Sequence, residues 1–460
     1  MKTRNSISSF RSRVAPVGMT IGLNKRNLAS TGREAARGQR LRLDLSNGYV
    51  VTGFNSSGAI SKKTFMVRCE EAISRKLWPL DADALCAAAR RRAGFEDFGD
   101  PAIESRLSIL LKSLKHEADL RPRGRLLAWI HLCGLLETRL RLERLWQKSG
   151  SAGSEPVKRP IFITGMPRSG STFLHELLAQ DGDNRAPLVW EVMSPLPSGD
   201  RRRIWSTAAC LWWFRRMAPE ADSVHPLRAT MPHECVAIHS YTLLSREFIT
   251  TFRVPAYEKF LEDSDFAPAY AWQKKFLQYL QSASSPRRWV LKAPDHVYNL
   301  ESLLRIFPDA IVIQTHRDPL EVLESSSRLT EVVHRLFAHP QDRRELGIRE
   351  ARILADGMDR INRFRQGHPE LAGRFFDVNY NELASHPIDT VRRVYRQLDL
   401  PLTHTTLERV RKLASHRSRY GRRRDRPTLL DFGLNLELET RRFAPYCTRF
   451  GIGPAERSDA

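Results

Sequence analysis

The sequence predicts an α/β protein: a three-layer core with a central parallel sheet flanked by helices, preceded by an N-terminal helical module. Three observations carry that expectation. A hydrophobic share of 41% beside 27% charged residues is the balance of a globular chain. The apolar period changes near residue 150, from a helical spacing to short apolar runs that are each followed by a helical stretch. The Gly, Lys, His and Arg residues that punctuate this second part stand just after those runs, where parallel α/β sheets bind ligands.

Residues 1–65 form a basic leader. Their first 43 positions carry many Lys and Arg but Glu34 as the lone acid, with too little apolar surface to offset ordering. We expect this leader to be disordered. The same composition also fits a transit peptide, or a reading frame that starts at Met66. Residues 66–150 read as an amphipathic helical module, with Leu, Ile and Trp at spacings of three and four and an Arg-rich face opposite. A Gly/Ser/Pro linker at 148–160 follows.

The core domain spans 159–455, with 195–286 as an insert. Four strands are expected, over 159–165, 287–294, 309–316 and 373–380, each leading into helix. The insert carries Trp205, Trp212, Trp213, Phe214, Tyr241, Phe248, Tyr257, Phe260, Phe266, Tyr270 and Trp272. These aromatics fit either an acceptor pocket with its lid or plain core. Arg201 to Arg203 and Arg215-Arg216 bracket the Trp cluster, a pattern that fits peripheral contact with a membrane surface.

The net charge of +22 suits three partners: nucleic acid, an anionic membrane surface, or a small polyanionic ligand. The six cysteines lie far apart with no C-x-x-C pair, which argues against zinc and against a disulfide framework. A reduced, cytoplasmic setting follows. Thr207–Phe214, the longest apolar stretch, is far too short to span a bilayer.

Gly165-Met166-Pro167-Arg168-Ser169-Gly170-Ser171-Thr172 has the frame G-x-x-x-x-G-x-T between a strand and a helix. Backbone N–H groups of such a P-loop turn inward at a helix N-terminus and cradle an anion. Ser171 stands where nucleotide hydrolases need Lys, which argues against an ATPase or GTPase. The stretch 161–181, IFITGMPRSGSTFLHELLAQD, resembles the 5′-phosphosulfate loop of sulfotransferases that use 3′-phosphoadenosine-5′-phosphosulfate (PAPS). The likeness is strongest to bacterial members of the type related to tyrosylprotein sulfotransferase. It implies that Arg168, Ser169, Gly170, Ser171 and Thr172 hold the 5′-phosphosulfate, Arg168 offering a planar fork.

The family binds the 3′-phosphate with an Arg at a strand end and a Ser eight positions later. Arg317 and Ser325 match that spacing, and Arg328 lies one turn beyond on the same helix face. Lys292 closes the second strand, where a cation stabilises charge on the bridging oxygen as the bond breaks. For the base the resemblance favours Glu191, with His296 as competitor. His233, Glu234 and His239 are further pocket candidates, and their spacing with Cys235 fits no zinc pattern. A segment from His416 to Leu434 resembles the family's closing His…Tyr…Leu-x-x-Phe-Gly-Leu, with Arg422 to Arg424 as a departure from it.

The expected activity is therefore transfer of a sulfuryl group from PAPS, leaving the desulfated nucleotide PAP, without a metal. The acceptor is a small molecule or peptide carrying a hydroxyl or amine. A P-loop small-molecule kinase and a basic nucleic-acid binder are the alternatives. The missing Walker Lys and the Arg317/Ser325 pair weigh against the first, and the dispersed basic residues against the second, so no nucleic-acid partner is expected.

Overall fold

The computed structural model describes residues 62–148, 155–217, 219–220, 227–282, 287–417 and 428–453. The leader up to residue 61, the Gly/Ser stretch 149–154 and the arginines at 422–424 lie outside the described residues. From Val67 onward the chain forms one compact unit.

The N-terminal helices are α1 (Lys62–Leu77), α2 (Ala82–Ala93), α3 (Ile103–His116) and α4 (Pro122–Lys148). The Asp81 carboxylate caps α2 by accepting from the N–H of Ala84, and Gly94 ends it at φ 61, a left-handed turn that favours glycine. The apolar faces of α2–α4 bury Leu85, Leu107, Leu110, Leu132, Leu136 and Trp146 in a core that also holds Tyr241, Phe248, Tyr257, Trp272 and Phe276. Most aromatics of the insert are thus core.

The five strands are β1 (Ile161–Gly165), β2 (Asn184–Arg185), β3 (Arg288–Lys292), β4 (Ile311–His316) and β5 (Phe375–Asn379). They lie in the order β2-β3-β1-β4-β5, and every pairing is parallel. β1 and β4 are buried along their whole length, as strands covered by helices on both faces must be. The four expected strands are present, trimmed at their ends. The two-residue β2 was not expected, because it is too short to show a period. The stretch expected as one helix after β3 is a 3₁₀ turn, Pro294–Tyr298, followed by the helix Leu300–Ile306.

The register aligns Gly165 with Thr315 and Ile163 with Lys292. Chain order reverses at β1, from β2 and β3 on one side to β4 and β5 on the other, which opens a crevice at the carboxyl ends of the strands. Four segments reach it: the loop after Gly165, Lys292 at the end of β3, Arg317 after β4, and Tyr380 after β5.

Candidate active site

The loop from Gly165 leads into α5 (Ser171–Leu178). Gly165 has φ 133, and a Cβ there would sit 2.3 Å from the Thr315 carbonyl oxygen. Only glycine allows β1 and β4 to approach so closely. Gly170 has φ 91, and a Cβ would lie 2.7 Å from the Tyr380 ring. Between them Arg168 is held at φ 64, a left-handed conformation that costs a non-glycine residue about 1–3 kcal/mol. The first-turn N–H groups of α5 lack intrahelical acceptors and point, with the positive end of the helix dipole, into the crevice.

Three sequence-predicted residues converge here. The Arg168 Nε donates to the Ser325 hydroxyl at 3.0 Å, and Arg317 Nη1 donates to the Arg168 carbonyl at 2.9 Å. The two loops, 149 residues apart in the chain, therefore meet. Ser325 sits on the helix Pro319–Phe337, which Pro319 begins and Asp318 caps through the N–H of Leu320. Arg317 is further held by Glu321, at 2.6 Å, and its guanidinium lies 4.1 Å from the Tyr380 ring centre. Arg328 is half-buried one turn on from Ser325, with no hydrogen bond or ion pair among the described residues.

The loop serines divide by role. Ser169 is fully buried, and its hydroxyl bonds within 2.6 Å both to the Met166 carbonyl and to the Thr315 hydroxyl. Its N–H also donates to the Met166 carbonyl, so Ser169 shapes the loop rather than facing the crevice. Ser171, Thr172 and Gly170 form the mouth of the turn. Thr172 receives a 3.0 Å hydrogen bond from Lys292 Nζ.

Lys292 is 1% exposed, and a buried ammonium requires a partner. That partner is the carboxylate of Glu234, which forms an ion pair with it. Glu234 stands at the N-terminal boundary of the helix Cys235–His239, and its side chain makes no cap bond there. It reaches the site because residues 229–233 pair with 187–190: Val189 and Trp190 donate to the Met231 and Ala229 carbonyls, and His233 donates to Pro187.

The two candidate bases from sequence, Glu191 and His296, each have hydrogen-bond partners of their own. Glu191, in α6 (Val189–Met193), receives Arg185 Nη2 at 2.8 Å on one oxygen and the Leu188 N–H at 2.9 Å on the other. Both oxygens thus serve to cap α6 and pair Arg185. His296 is wholly buried, with Nδ1 bonded to the Tyr270 hydroxyl at 2.8 Å and its ring edge-on to Phe162. Burial, with His239 and Lys292 nearby, pushes its pKa well below the usual histidine range. It stays neutral and sealed.

Tyr380 escaped the sequence reading. A survey of the residue following each strand would have found it, since β5 ends at Asn379. His239 bonds Gln273 at 2.7 Å rather than facing the crevice, and no cluster of metal-ligating side chains occurs among the described residues.

The family model described as "Sulfotransferase family" matches residues 160–404, more than half of the chain, so the chain belongs to that family. The activity of the class is sulfuryl transfer, and PAPS is the donor the family implies. Among curated relatives, the omega-hydroxy-beta-dihydromenaquinone-9 sulfotransferase Stf3 of Mycobacterium bovis is 28% identical over 292 residues, 59% of this chain and 72% of that protein. The crystal structure of sulfotransferase STF9 from Mycobacterium avium superposes with a TM-score of 0.72 at 28% identity, covering 82% of this chain and 98% of that one. That of STF1 from Mycobacterium tuberculosis gives 0.70 at 28% identity, covering 79% and 98%.

Proposed function

We propose that this sulfotransferase moves the sulfuryl group of PAPS onto the hydroxyl of an apolar small-molecule acceptor. The observation that carries the donor reading is the fusion of the two anion loops through Arg168, Ser325 and Arg317. An adenosine bearing phosphates at both ends suits one site with two clusters of anion donors. The first turn of α5, with Gly170, Ser171, Thr172 and Arg168, holds the 5′-phosphosulfate, and Arg317, Ser325 and Arg328 hold the 3′-phosphate.

Lys292, beside Thr172, places its ammonium against the bridging oxygen and neutralises the charge that grows there as the sulfur–oxygen bond breaks. The acceptor oxygen attacks sulfur from the opposite side, and its proton passes to a carboxylate. We assign that role to Glu234 in place of Glu191. The Glu234 side chain keeps 19% of its surface open, against 8% for Glu191 with both oxygens engaged. When Lys292 turns to the leaving oxygen, the Glu234 carboxylate is released to take the proton.

Support for an apolar alcohol comes from the relative named for a hydroxylated menaquinone.

Isothermal titration with PAP and with ATP, on wild type and Arg317→Ala, tests the donor site. Micromolar PAP binding that the variant abolishes, with ATP much weaker, is the expected result. Tighter binding of ATP than of PAP would transfer the site to a phosphoryl donor and revive the kinase alternative.

A further inference from the structure

The exposed tryptophans of this protein are concentrated on one helix. The chain has nine tryptophans. Six are buried or half-buried, while Trp205, Trp212 and Trp213 are 73%, 50% and 61% exposed, all on α7 (Asp200–Met217). Soluble surfaces rarely group large apolar side chains in this way without a partner.

α7 is fastened by a narrow seam. Thr207 and Leu211 are its buried residues. Arg203 Nε donates to the Ser194 carbonyl at 2.6 Å, and its guanidinium stacks 4.3 Å from the Trp190 ring. Phe214 packs against Val332, Leu329 and Leu336 on the helix that also carries Ser325 and Arg328. At about 100° per residue, the opposite half of the circumference collects Arg201, Trp212, Trp205, Arg216, Arg202, Trp213 and Met217. Arg216 lies 5.3 Å from the Trp212 ring, and Trp212 meets Trp213 edge-on at the same distance. The one acid of the helix, Asp200, is bonded to Arg203 at 3.3 Å and leaves the outward arginines uncompensated within α7.

We propose that this face of α7 docks the enzyme onto the surface of an anionic phospholipid bilayer. Indole rings favour the boundary between headgroups and acyl chains, and arginines interleaved with them meet lipid phosphates. The sign of the charge selects this occupant: three exposed arginines on the face, in a chain of net charge +22, complement an anionic surface. The contact is peripheral, because no helix among the described residues is long and apolar enough to cross a membrane. The seam joins α7 to α6 and to the helix that carries Ser325. The docking stands on the α7 face itself and does not depend on the nature of the acceptor.

The test is flotation of the full chain with phosphatidylcholine vesicles, with and without phosphatidylglycerol, beside tryptophan emission. Wild type should float with the anionic vesicles, with a blue-shifted emission, and release at high salt. Trp205→Ser/Trp212→Ser/Trp213→Ser should weaken that binding by at least about a hundredfold, from three lost apolar anchors. Arg201→Gln/Arg202→Gln/Arg216→Gln should weaken it by about a hundredfold, at about fivefold per charge. Both variants should keep wild-type PAP affinity and circular dichroism, with Trp213→Ser as the fallback if a triple variant misfolds. Flotation of the tryptophan variant equal to wild type would overturn the proposal and leave the basic leader as the lipid-binding element. Failure of wild type to float, or a wild-type dimer that the tryptophan substitutions dissolve, would also overturn it, the latter in favour of self-association.

Discussion

The donor half and the acceptor half of the crevice are built in opposite ways. On the donor half, short loops at the ends of β1 and β4 present backbone N–H groups and arginines whose positions follow from the parallel register. Little there is apolar, and strain is accepted at Arg168. On the acceptor half, residues 187–281 bury polar groups among aromatics. His239 bonds Gln273, Gln273 reaches Cys235, and Tyr270 bonds His296, all within the interior. The donor half binds by charge and geometry, so its failures should appear as lost affinity. The acceptor half rests on desolvated neutral groups, so its failures should appear as lost stability.

Acid acts on the buried histidines of both halves and gives the largest effect expected. Burial drives His175 and His334 down to about 3 and His239 to about 4, and holds His296 well below the usual histidine range. Each folded-state pKa lies below the unfolded 6.5, so this stability is complete above pH 6.5 and is lost as pH falls from there. At pH 5.5 the four together cost on the order of 5 kcal/mol relative to pH 7. Asp295, raised to about 6 by burial, opposes this by less than about 1 kcal/mol, since its folded form gains protons over the same range. Chemical denaturation at the two pH values should show the fall in stability. Equal stabilities would mean that these histidines bind protons without unfolding the chain.

Next in size is Lys292→Ala, for which we expect a kcat about a thousandfold lower while PAP still binds. Trp272→Ala removes a ring packed 4.7 Å from Trp146 and 4.0 Å from the Arg139 guanidinium, and should cost about 3–5 kcal/mol. Trp213→Ala, on the exposed face, should change stability by no more than about 0.5 kcal/mol. Similar losses from the two substitutions would erase the distinction between core and surface aromatics in the insert.

Glu234→Gln should lower kcat about a hundredfold with donor affinity retained. Glu191→Gln, which breaks a cap and an ion pair, should act on melting temperature more than on kcat. The reverse outcome would return the base to Glu191. Gly170→Ala should cost about 1–3 kcal/mol through φ 91 and the Tyr380 ring, read as weaker PAP binding.

The two halves also differed in how far they could be read from the chain. G-x-x-x-x-G-x-T, Lys292 after an apolar run, and Arg317 with Ser325 eight residues on are local patterns, and local patterns fix which residues stand at a strand's end. Glu234 lies 43 positions after Glu191, and its neighbours MPHECVAIH mark it as a pocket candidate without showing that it pairs with Lys292. It is placed by the backbone pairing of 229–233 with 187–190. Ser169 looked like an anion ligand, but the close approach of Thr315 turned its hydroxyl inward.

The sequence alone determined the α/β class and four of the five strands, because these rest on periodicity, and the stretch 161–181 carried the resemblance to the family. Tertiary structure decided which carboxylate meets Lys292, which aromatics are core, and that Trp205, Trp212 and Trp213 face outward. Those outcomes depend on contacts between segments tens of residues apart, and burial is a property of what packs against a side chain rather than of the side chain itself.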